Sequence, residues 1–270
     1  MIDINRIGIF DSGLGGLTVF KKLKQEFPWQ SFIYLGDLAH LPYGDKSNQA
    51  IIERSQKIAD FFITKNVKAI IVACNSASSV TLEILKSLYD IPIIGVINPS
   101  ISLAIQYTNT KTIGVIGTQT TIFSQSYNKA LVSITNQDKS YNLISVACPL
   151  FVPLVEEGWE HTNITYQIAK KYCMYFQSYK NFDTLILGCT HYPILINTLK
   201  NVFNEIGYKN LSFIECGDAI VDKIRKLSFM KKSLIDGDDL FFVTDTSHKF
   251  EELANKFLGY KISKINVISL

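Results

Sequence analysis

The chain has 270 residues, of which 47% are hydrophobic and 19% charged, a balance that excludes an intrinsically disordered protein. Its length predicts one large domain or two small ones. The 27 Lys+Arg and 24 Asp+Glu give a formal net charge of +3, which is too small to indicate a dedicated nucleic-acid surface. Because only Arg6, Arg54 and Arg225 are arginines, a bound anion would be held mostly by neutral donors.

The N-terminal segment Met1–Arg6 carries no signal-peptide pattern, and no uncharged apolar stretch approaches the roughly 18–20 residues that span a bilayer. The five cysteines are widely spaced and odd in number, which argues against a disulfide scaffold. We therefore expect free thiols in a soluble cytoplasmic protein that binds neither nucleic acid nor membranes.

Short apolar runs, each followed by a turn and a helical pattern, recur along the chain. They predict strands buried on both faces at 7–10, 32–35, 69–73, 91–97, 112–117, 142–147, 183–188, 211–215 and 240–244. Residues 47–64 and 192–206 place apolar side chains on one helical face, and Ser47 is a candidate N-cap. This alternation predicts an α/β fold with mainly parallel sheets and right-handed crossovers.

The chain also contains a faint internal repeat. Residues 7–12 resemble 113–118 at an offset of 106, and the run ending at Cys74 resembles the run ending at Cys189 at an offset of 115. The similar offsets predict two pseudo-symmetric halves, joined near residues 97–111, whose strand ends face each other across a cleft. Ligands in open α/β folds bind outside the carboxyl ends of strands. Chance similarity between α/β segments is the alternative explanation.

Cys74 and Cys189 are the main chemical signal in the sequence. Each follows a predicted buried strand and precedes a predicted helix start, where the helix dipole favours thiolate. A single cysteine in that position is most often a core residue, but two in matching contexts point to function. A racemase removes a proton from one face of a stereocentre and delivers another to the opposite face, so two facing thiols can serve as base and acid.

Neutral hydrogen-bond donors surround these thiols in the predicted fold: Ser12, Asn75, Ser76, Thr118, Thr121 and Thr190. With main-chain N–H groups at helix starts they can bind a carboxylate without arginine, although turn and helix capping explains most such residues. Asp11 can orient a thiol or accept from a substrate ammonium, or serve as an N-cap. His191 can tune Cys189, or be a hydrogen-bonded structural histidine.

Two other kinds of site compete with this interpretation. Residues 11–16 are similar to a G-x-G-x-x-G nucleotide loop, but Thr18 replaces the third glycine and Asp11 would lie beside the pyrophosphate. A zinc site of Cys74, Cys189 and His191 lacks C-x-x-C or H-x-x-x-H spacing, so we expect no metal. The remaining cysteines are assigned to the core: Cys148, Cys173 and Cys216.

As a set, the residues resemble the cofactor-independent glutamate racemases of the aspartate/glutamate racemase family. The matching segments lie in order over most of the chain, at 8–19, 36–37, 41–44, 73–78, 114–118, 152–158 and 187–193. One departure is Ser76, where the family usually has threonine, although the hydroxyl donor is kept.

The resemblance implies two α/β domains, residues 1–97 plus 212–270 and residues 98–211, with the active site between them. It also implies that Cys74 deprotonates D-glutamate and Cys189 deprotonates L-glutamate without a cofactor. The implied substrate-contacting residues are Asp11, Ser12, Tyr43, Gly44, Asn75, Ser76, Thr190 and His191, to which we add the donors Thr118 and Thr121. Glu156 would assist near the second thiol.

The implied role is to supply D-glutamate for bacterial peptidoglycan synthesis, and hence for cell-wall biogenesis and cell shape; we expect a homodimer. A pyridoxal-phosphate racemase would need a Schiff-base lysine, and none of the matching motifs contains one. Two alternatives stay open: an aspartate racemase, and a non-catalytic amino-acid-binding protein that needs the polar donors but not two reactive cysteines. The Cys-Thr-His and Leu-Pro-Tyr-Gly segments favour glutamate over aspartate.

Overall fold

Strands and helices alternate along the computed structural model, which describes residues 5–179, 181–227, 238–246 and 250–270. The strands are β1 (Arg6–Asp11), β2 (Ser31–Gly36), β3 (Ala69–Val72), β4 (Ile93–Gly95), β5 (Thr112–Gly117), β6 (Asn142–Ala147), β7 (Thr184–Gly188), β8 (Ser212–Glu215), β9 (Leu240–Val243) and β10 (Ile265–Val267).

The helices lie between them, and most connect one strand to the next. They are α1 (Leu17–Glu26), α2 (Asn48–Thr64), α3 (Asn75–Leu88), α4 (Ile97–Tyr107), α5 (Gln119–Phe123), α6 (Ser126–Ile134), α7 (Phe151–Glu156), α8 (Asn163–Cys173), α9 (Ile196–Glu205), α10 (Cys216–Arg225) and α11 (Phe250–Leu258). Short 3₁₀ turns cover Leu38–His40, Tyr43–Asp45, Met174–Phe176 and Tyr192–Leu195. Among the described helices, none has the length and apolar composition that crossing a bilayer requires.

The strands form two sheets in which every described pair is parallel. The first sheet has the order β10-β9-β2-β1-β3-β4, and the second has the order β6-β5-β7-β8. Strands β1–β4 and β5–β8 therefore repeat one arrangement, in which the first strand of each set lies between its second and third. This confirms the predicted α/β fold of two halves with like topology.

The register of the sheets places the two cysteines in equivalent positions. β3 pairs with the central strand β1, where Phe10 lies opposite Val72. β7 pairs with the central strand β5, where Gly117 lies opposite Gly188. Cys74 and Cys189 follow the carboxyl ends of these two strands, as the internal repeat predicts.

The two helices expected from apolar periodicity differ in how they begin. In α2, Ser47 is the N-cap, because its Oγ accepts the Ala50 N–H at 3.3 Å, and the predicted stripe with Ile58 and Phe62 is buried. The stretch predicted as one helix at 192–206 begins instead as a 3₁₀ turn and becomes α9 at Ile196. Pro193, at the start of that turn, has no N–H to donate to a helical hydrogen bond.

The chain returns from the second half to the first through α10, which packs on α1 and α4. Strand β8 still pairs with β7, where Ser212 lies opposite Thr184. By sheet membership, residues 212–215 therefore belong with the second sheet. The division into two domains stays a prediction, and parts of its ranges (1–4, 180, 228–237 and 247–249) lie outside the described residues.

Candidate active site

A cavity of about 210 Å³ opens where the carboxyl ends of strands from both sheets meet. Its wall is formed by segments that follow β1, β2 and β3 in the first half and β5, β6 and β7 in the second. Cys74 and Cys189 both belong to this wall, at 5% and 7% exposure. The expected meeting of the two thiol-bearing strand ends at one cavity is therefore confirmed.

Most of the residues predicted to form the site do line the cavity: Ser12, Tyr43, Gly44, Asn75, Ser76, Thr118, Glu156, Thr190 and His191. The wall also contains residues that were not predicted: Gly13, Leu41, Pro42, Asp45, Gln119, Pro149, Val152, Pro153 and Glu157. Several of these lie within the motifs at 41–44 and 152–158, so the motifs themselves were the available signal.

Asp11 and Thr121 do not line the cavity, and their expected contact with substrate stays a prediction. The Asp11 carboxylate is fully buried; it accepts the Gly13 N–H at 3.0 Å and the Thr190 hydroxyl at 3.3 Å. Burial raises the pKa of Asp11, against opposing effects from His191 and its hydrogen-bond donors. Thr121 lies behind Thr118, to whose Oγ1 its N–H donates at 3.3 Å. Both residues therefore hydrogen-bond to residues of the cavity wall, Asp11 to Thr190 and Thr121 to Thr118.

Cys74 is the N-cap of α3, and its Sγ accepts the Ala77 N–H at 3.5 Å and lies 3.6 Å from Ser12 Oγ. Burial raises the pKa of Cys74 to about 12; nearby Asp11 adds to this rise, and the donors at Ala77 and Ser12 oppose it. The helix start thus favours thiolate as expected, through the Ala77 N–H, but burial outweighs it. The cost of desolvating a charged sulfur exceeds the gain from the helix terminus.

Cys189 lies beside an imidazole that is held on several sides. Its Sγ is 3.9 Å from His191 Nδ1, and His191 Nε2 is 3.0 Å from Glu156 Oε1. The Phe257 ring packs edge-on against the imidazole at a centroid distance of 5.2 Å. Burial raises the pKa of Cys189 well above its ordinary value, although a hydrogen bond from the main-chain N–H of His191 opposes this rise. His191 and Glu156 thus lie where the sequence predicted them.

A buried ion pair that was not predicted supports the wall at Tyr43. The Tyr43 hydroxyl donates to Asp37 at 2.6 Å, and Arg54 donates to both carboxylate oxygens at 3.0 Å. Thr244 also donates to Asp37, at 2.8 Å. Burial alone would raise the pKa of Asp37, but these hydrogen bonds outweigh it and lower that pKa. Arg54 therefore acts on the shape of the wall and does not face the cavity.

Direct hydrogen bonds connect the two halves at the rim of the cavity. Ser76 Oγ and Thr118 Oγ1 are 2.9 Å apart, and Thr120 Oγ1 donates to the Gly44 carbonyl at 2.7 Å. Each pair takes one residue from each half. Neutral polar contacts therefore join the two halves beside the cavity.

The turn at 11–16 does not have room to cradle a nucleotide phosphate. A Cβ atom at Gly15 would lie 2.4 Å from Thr190 Oγ1 and 2.5 Å from His191 Nδ1. Thr18 Oγ1 also donates to the Thr190 carbonyl at 3.1 Å. The space that a pyrophosphate would need is filled by the segment after Cys189, so the nucleotide-loop alternative is wrong.

The cavity wall combines neutral donors with a few titratable side chains. Its described residues include no lysine or arginine; its side-chain donors are hydroxyl, amide and thiol groups and the His191 imidazole, and its carboxylates are Asp45, Glu156 and Glu157. Across the described ranges, no three His, Cys, Asp or Glu side chains are grouped so that they could hold a metal ion. The arrangement can present two thiols and several neutral donors to one small polar molecule.

Comparison with known proteins agrees with this chemistry. The sequence profile of the Asp/Glu/Hydantoin racemase family matches residues 15–224. A glutamate racemase of Sulfurihydrogenibium sp. is 43% identical over 266 residues, which cover 98% of each chain. The crystal structure of glutamate racemase isoform RacE1 from Bacillus anthracis matches with a TM-score of 0.89 at 35% identity, covering 98% of both chains. Glutamate racemase from Francisella tularensis in complex with D-glutamate matches with a TM-score of 0.87 at 33% identity, covering 99% of this chain and 98% of that one.

Proposed function

The chain belongs to the Asp/Glu/Hydantoin racemase family, and from this premise we propose that it interconverts L- and D-glutamate by proton transfer between two thiols without a cofactor. One observation carries the proposal: Cys74 and Cys189 come from different halves of the fold and line the same cavity. Two groups so placed can act on opposite faces of one bound Cα. The names of the relatives support glutamate as the amino acid.

The reaction conserves protons over the pair of cysteines. One thiolate takes the α-proton and becomes a thiol, while the other thiol gives its proton to the opposite face and becomes a thiolate. The product leaves with inverted configuration, and the protein is then ready for the reverse direction. On the family resemblance, Cys74 is the base for D-glutamate and Cys189 is the base for L-glutamate.

The raised thiol pKa values indicate that the base forms as substrate binds. Burial disfavours thiolate at both sulfurs, and the described residues of the cavity wall include no lysine or arginine to offset it. The substrate ammonium is a positive charge, and an opposite charge within about 4–6 Å lowers a thiol pKa. With the two substrate carboxylates held by neutral donors, the ammonium favours release of one thiol proton to solvent, and the resulting thiolate then removes the α-proton.

The substrate carboxylates would be held by neutral donors. Ser12, Asn75 and Ser76 offer such donors from the first half, and Thr118 and Thr190 offer them from the second. Main-chain N–H groups at the starts of α3 and α5 add to them. The described residues of the wall include no lysine, the residue type that forms the Schiff base in pyridoxal-phosphate chemistry.

The wider role follows from the product. We infer that the D-glutamate formed enters bacterial peptidoglycan synthesis, and so supports cell-wall biogenesis and cell shape. We also infer that the protein works in the cytoplasm as a homodimer. The relatives named as bacterial glutamate racemases support the first inference; size-exclusion chromatography with light scattering tests the second.

The decisive assay follows the circular dichroism of purified protein with L- and D-glutamate, and then with both aspartates, without added cofactor. We expect racemisation of glutamate in both directions and incorporation of solvent deuterium at Cα. Turnover of aspartate alone would favour the aspartate alternative, and strict dependence on pyridoxal phosphate would contradict the thiol mechanism.

Single substitutions of the two cysteines distinguish catalysis from simple binding. Cys74→Ser should abolish inversion, yet Cys189 should still exchange the α-proton of L-glutamate with solvent deuterium. Cys189→Ser should show the mirror result with D-glutamate. If both variants bind glutamate normally and the wild type also does not racemise it, the chain is an amino-acid-binding protein.

A further inference from the structure

A third buried thiol lies directly behind the cavity. Cys216 is the first residue of α10 and is 2% exposed. Its Sγ lies 3.3 Å from Asn75 Nδ2 and 3.3 Å from the Leu187 carbonyl oxygen. Asn75 lines the cavity, so Cys216 touches a residue of the wall without lining the cavity itself.

The hydrogen-bond directions around this sulfur follow from the groups present. A carbonyl oxygen can only accept, so the Cys216 S–H donates to Leu187; Asn75 Oδ1 and Ser100 Oγ lie farther from the sulfur, at 3.8 and 3.9 Å. Burial raises the pKa of Cys216 to about 11, so the thiol keeps its proton at neutral pH. The sulfur then accepts an N–H from Asn75.

The amide of Asn75 is held from its oxygen side as well. The buried Tyr127 hydroxyl donates to Asn75 Oδ1 at 2.8 Å. An amide can flip by exchanging its oxygen and nitrogen, but here a donor faces the oxygen and an acceptor faces the nitrogen. A flipped amide would need the Tyr127 hydroxyl to accept instead of donate, and the Cys216 S–H to turn from the Leu187 carbonyl to the amide oxygen. One of the two amide N–H groups goes to the sulfur, which leaves the second for a ligand in the cavity.

The contacts of Asn75 cross between the two halves of the fold. Asn75 directly follows Cys74 at the start of α3 in the first half. Tyr127 belongs to α6 and Leu187 to β7, and Leu187 lies two residues before Cys189. The bridge through Asn75 and Cys216 therefore connects the segments that carry the two thiols.

We propose that Cys216 and Tyr127 are positioning residues, which orient the Asn75 amide so that it donates a hydrogen bond to a substrate carboxylate in the cavity. The inference rests on the proposed function, because it names a substrate group at that site. It assigns to Cys216 a role beyond the core packing expected from the sequence.

The test compares four variants by steady-state racemisation and by thermal unfolding. Cys216→Ala removes both sulfur contacts, Cys216→Ser keeps a donor and an acceptor, and Tyr127→Phe keeps the ring but removes the donor. Cys173→Ala is the matched control, because Cys173 is an equally buried thiol in α8, away from the cavity wall.

We expect Cys216→Ala and Tyr127→Phe each to raise KM for glutamate by about threefold to tenfold, the effect of losing one hydrogen bond, with kcat nearly unchanged. Cys216→Ser should restore KM, and Cys173→Ala should keep the wild-type value. In an Asn75→Ala background, Cys216→Ala should raise KM no further, because its effect passes through Asn75.

Unchanged KM in Cys216→Ala and Tyr127→Phe, or an additional rise in the Asn75→Ala background, would overturn the proposal. If Cys216→Ala does not fold, the KM of Tyr127→Phe alone tests the proposal, because this variant keeps the aromatic ring at position 127 and the Cys216 thiol. Failure of the proposed function is a separate result, because the wild type would then not racemise glutamate. In that case the same variants are compared by calorimetric titration with L-glutamate, and unchanged affinity again overturns the proposal.

Discussion

Gly15 is the position where the smallest substitution should have the largest effect on activity. A Cβ atom there would lie 2.4 Å from Thr190 Oγ1 and 2.5 Å from His191 Nδ1, whereas ordinary contacts begin at 3.4 Å. Neither neighbour is free to move away, because Thr190 donates to Asp11 and His191 is hydrogen-bonded to Glu156. Gly15→Ala must therefore displace the segment after Cys189 by about 1 Å, a misplacement that typically costs about 100-fold in rate.

We expect Gly15→Ala to lower kcat/KM for glutamate by about 100-fold and to destabilise the fold by about 1–3 kcal/mol through overpacking. Circular dichroism measures racemisation from either enantiomer, and denaturant unfolding measures stability. The two enantiomers have equal free energy, so kcat/KM must fall equally in both directions. Unequal values would reveal an assay artefact.

Gly8→Ala is the matched control for overpacking. Its Cβ would lie 2.9 Å from the Phe62 ring, in the core between the first sheet and α2. This variant should lose about 1–3 kcal/mol of stability but keep its kcat/KM. Wild-type kcat/KM in Gly15→Ala would refute the reasoning, as would an equal loss of activity in Gly8→Ala.

Three further predictions follow from the charges around the cavity. Because the pKa of Cys74 is raised to about 12, kcat/KM should rise about tenfold per pH unit between about pH 6 and 8; a plateau in a steady-state pH profile would contradict this. Asp37→Asn should cost about 3 kcal/mol in denaturant unfolding, because it removes the buried negative charge that two Arg54 nitrogens contact, although the Leu270 oxygen still accepts from Arg54 at 2.9 Å. The pKa of Asp37 is lowered in the folded state, so its contribution to the free energy of unfolding should be complete above about pH 4 and be lost on further acidification. If the stability of the wild type and of Asp37→Asn depended on pH in the same way, this prediction would be wrong. Glu156→Gln weakens the charge-assisted contact with His191 by about 1 kcal/mol and should lower kcat/KM about fivefold. A variant with the wild-type kcat/KM would contradict this prediction.

The fold could be predicted where buried strands appear in the sequence as continuous apolar runs. Continuous apolar runs predicted nine of the described strands, because parallel strands are buried on both faces. Strand β10 was missed because Asn266 interrupts its apolar residues, so that Ile265–Val267 forms no continuous apolar run. The membership of β8 in the second sheet depends on its pairing with β7, which no local pattern encodes.

The sequence identified the motifs that form the candidate site, but it did not predict which side chains contact one another there. Cys74 and Cys189 stand out because they repeat at strand ends. Whether a residue next to them faces the cavity depends on side-chain direction, so Asp11 was expected at the surface of the site but lies beneath it. The contacts of Asp37 and Cys216 join residues that are distant in sequence, and single residues of this kind carry no recognisable spacing.

The described cavity wall contains no lysine or arginine, and this bears on how two buried thiols can take part in one reaction. A lysine or arginine beside Cys74 or Cys189 would lower the thiol pKa permanently, and a standing thiolate is open to oxidation and alkylation. Without such a side chain, burial keeps both thiols protonated until the substrate ammonium enters. On the proposed mechanism, the same burial that makes the resting thiols inert makes each thiolate, once formed, a stronger base towards the α-proton. Reactivity is thereby confined to the occupied site.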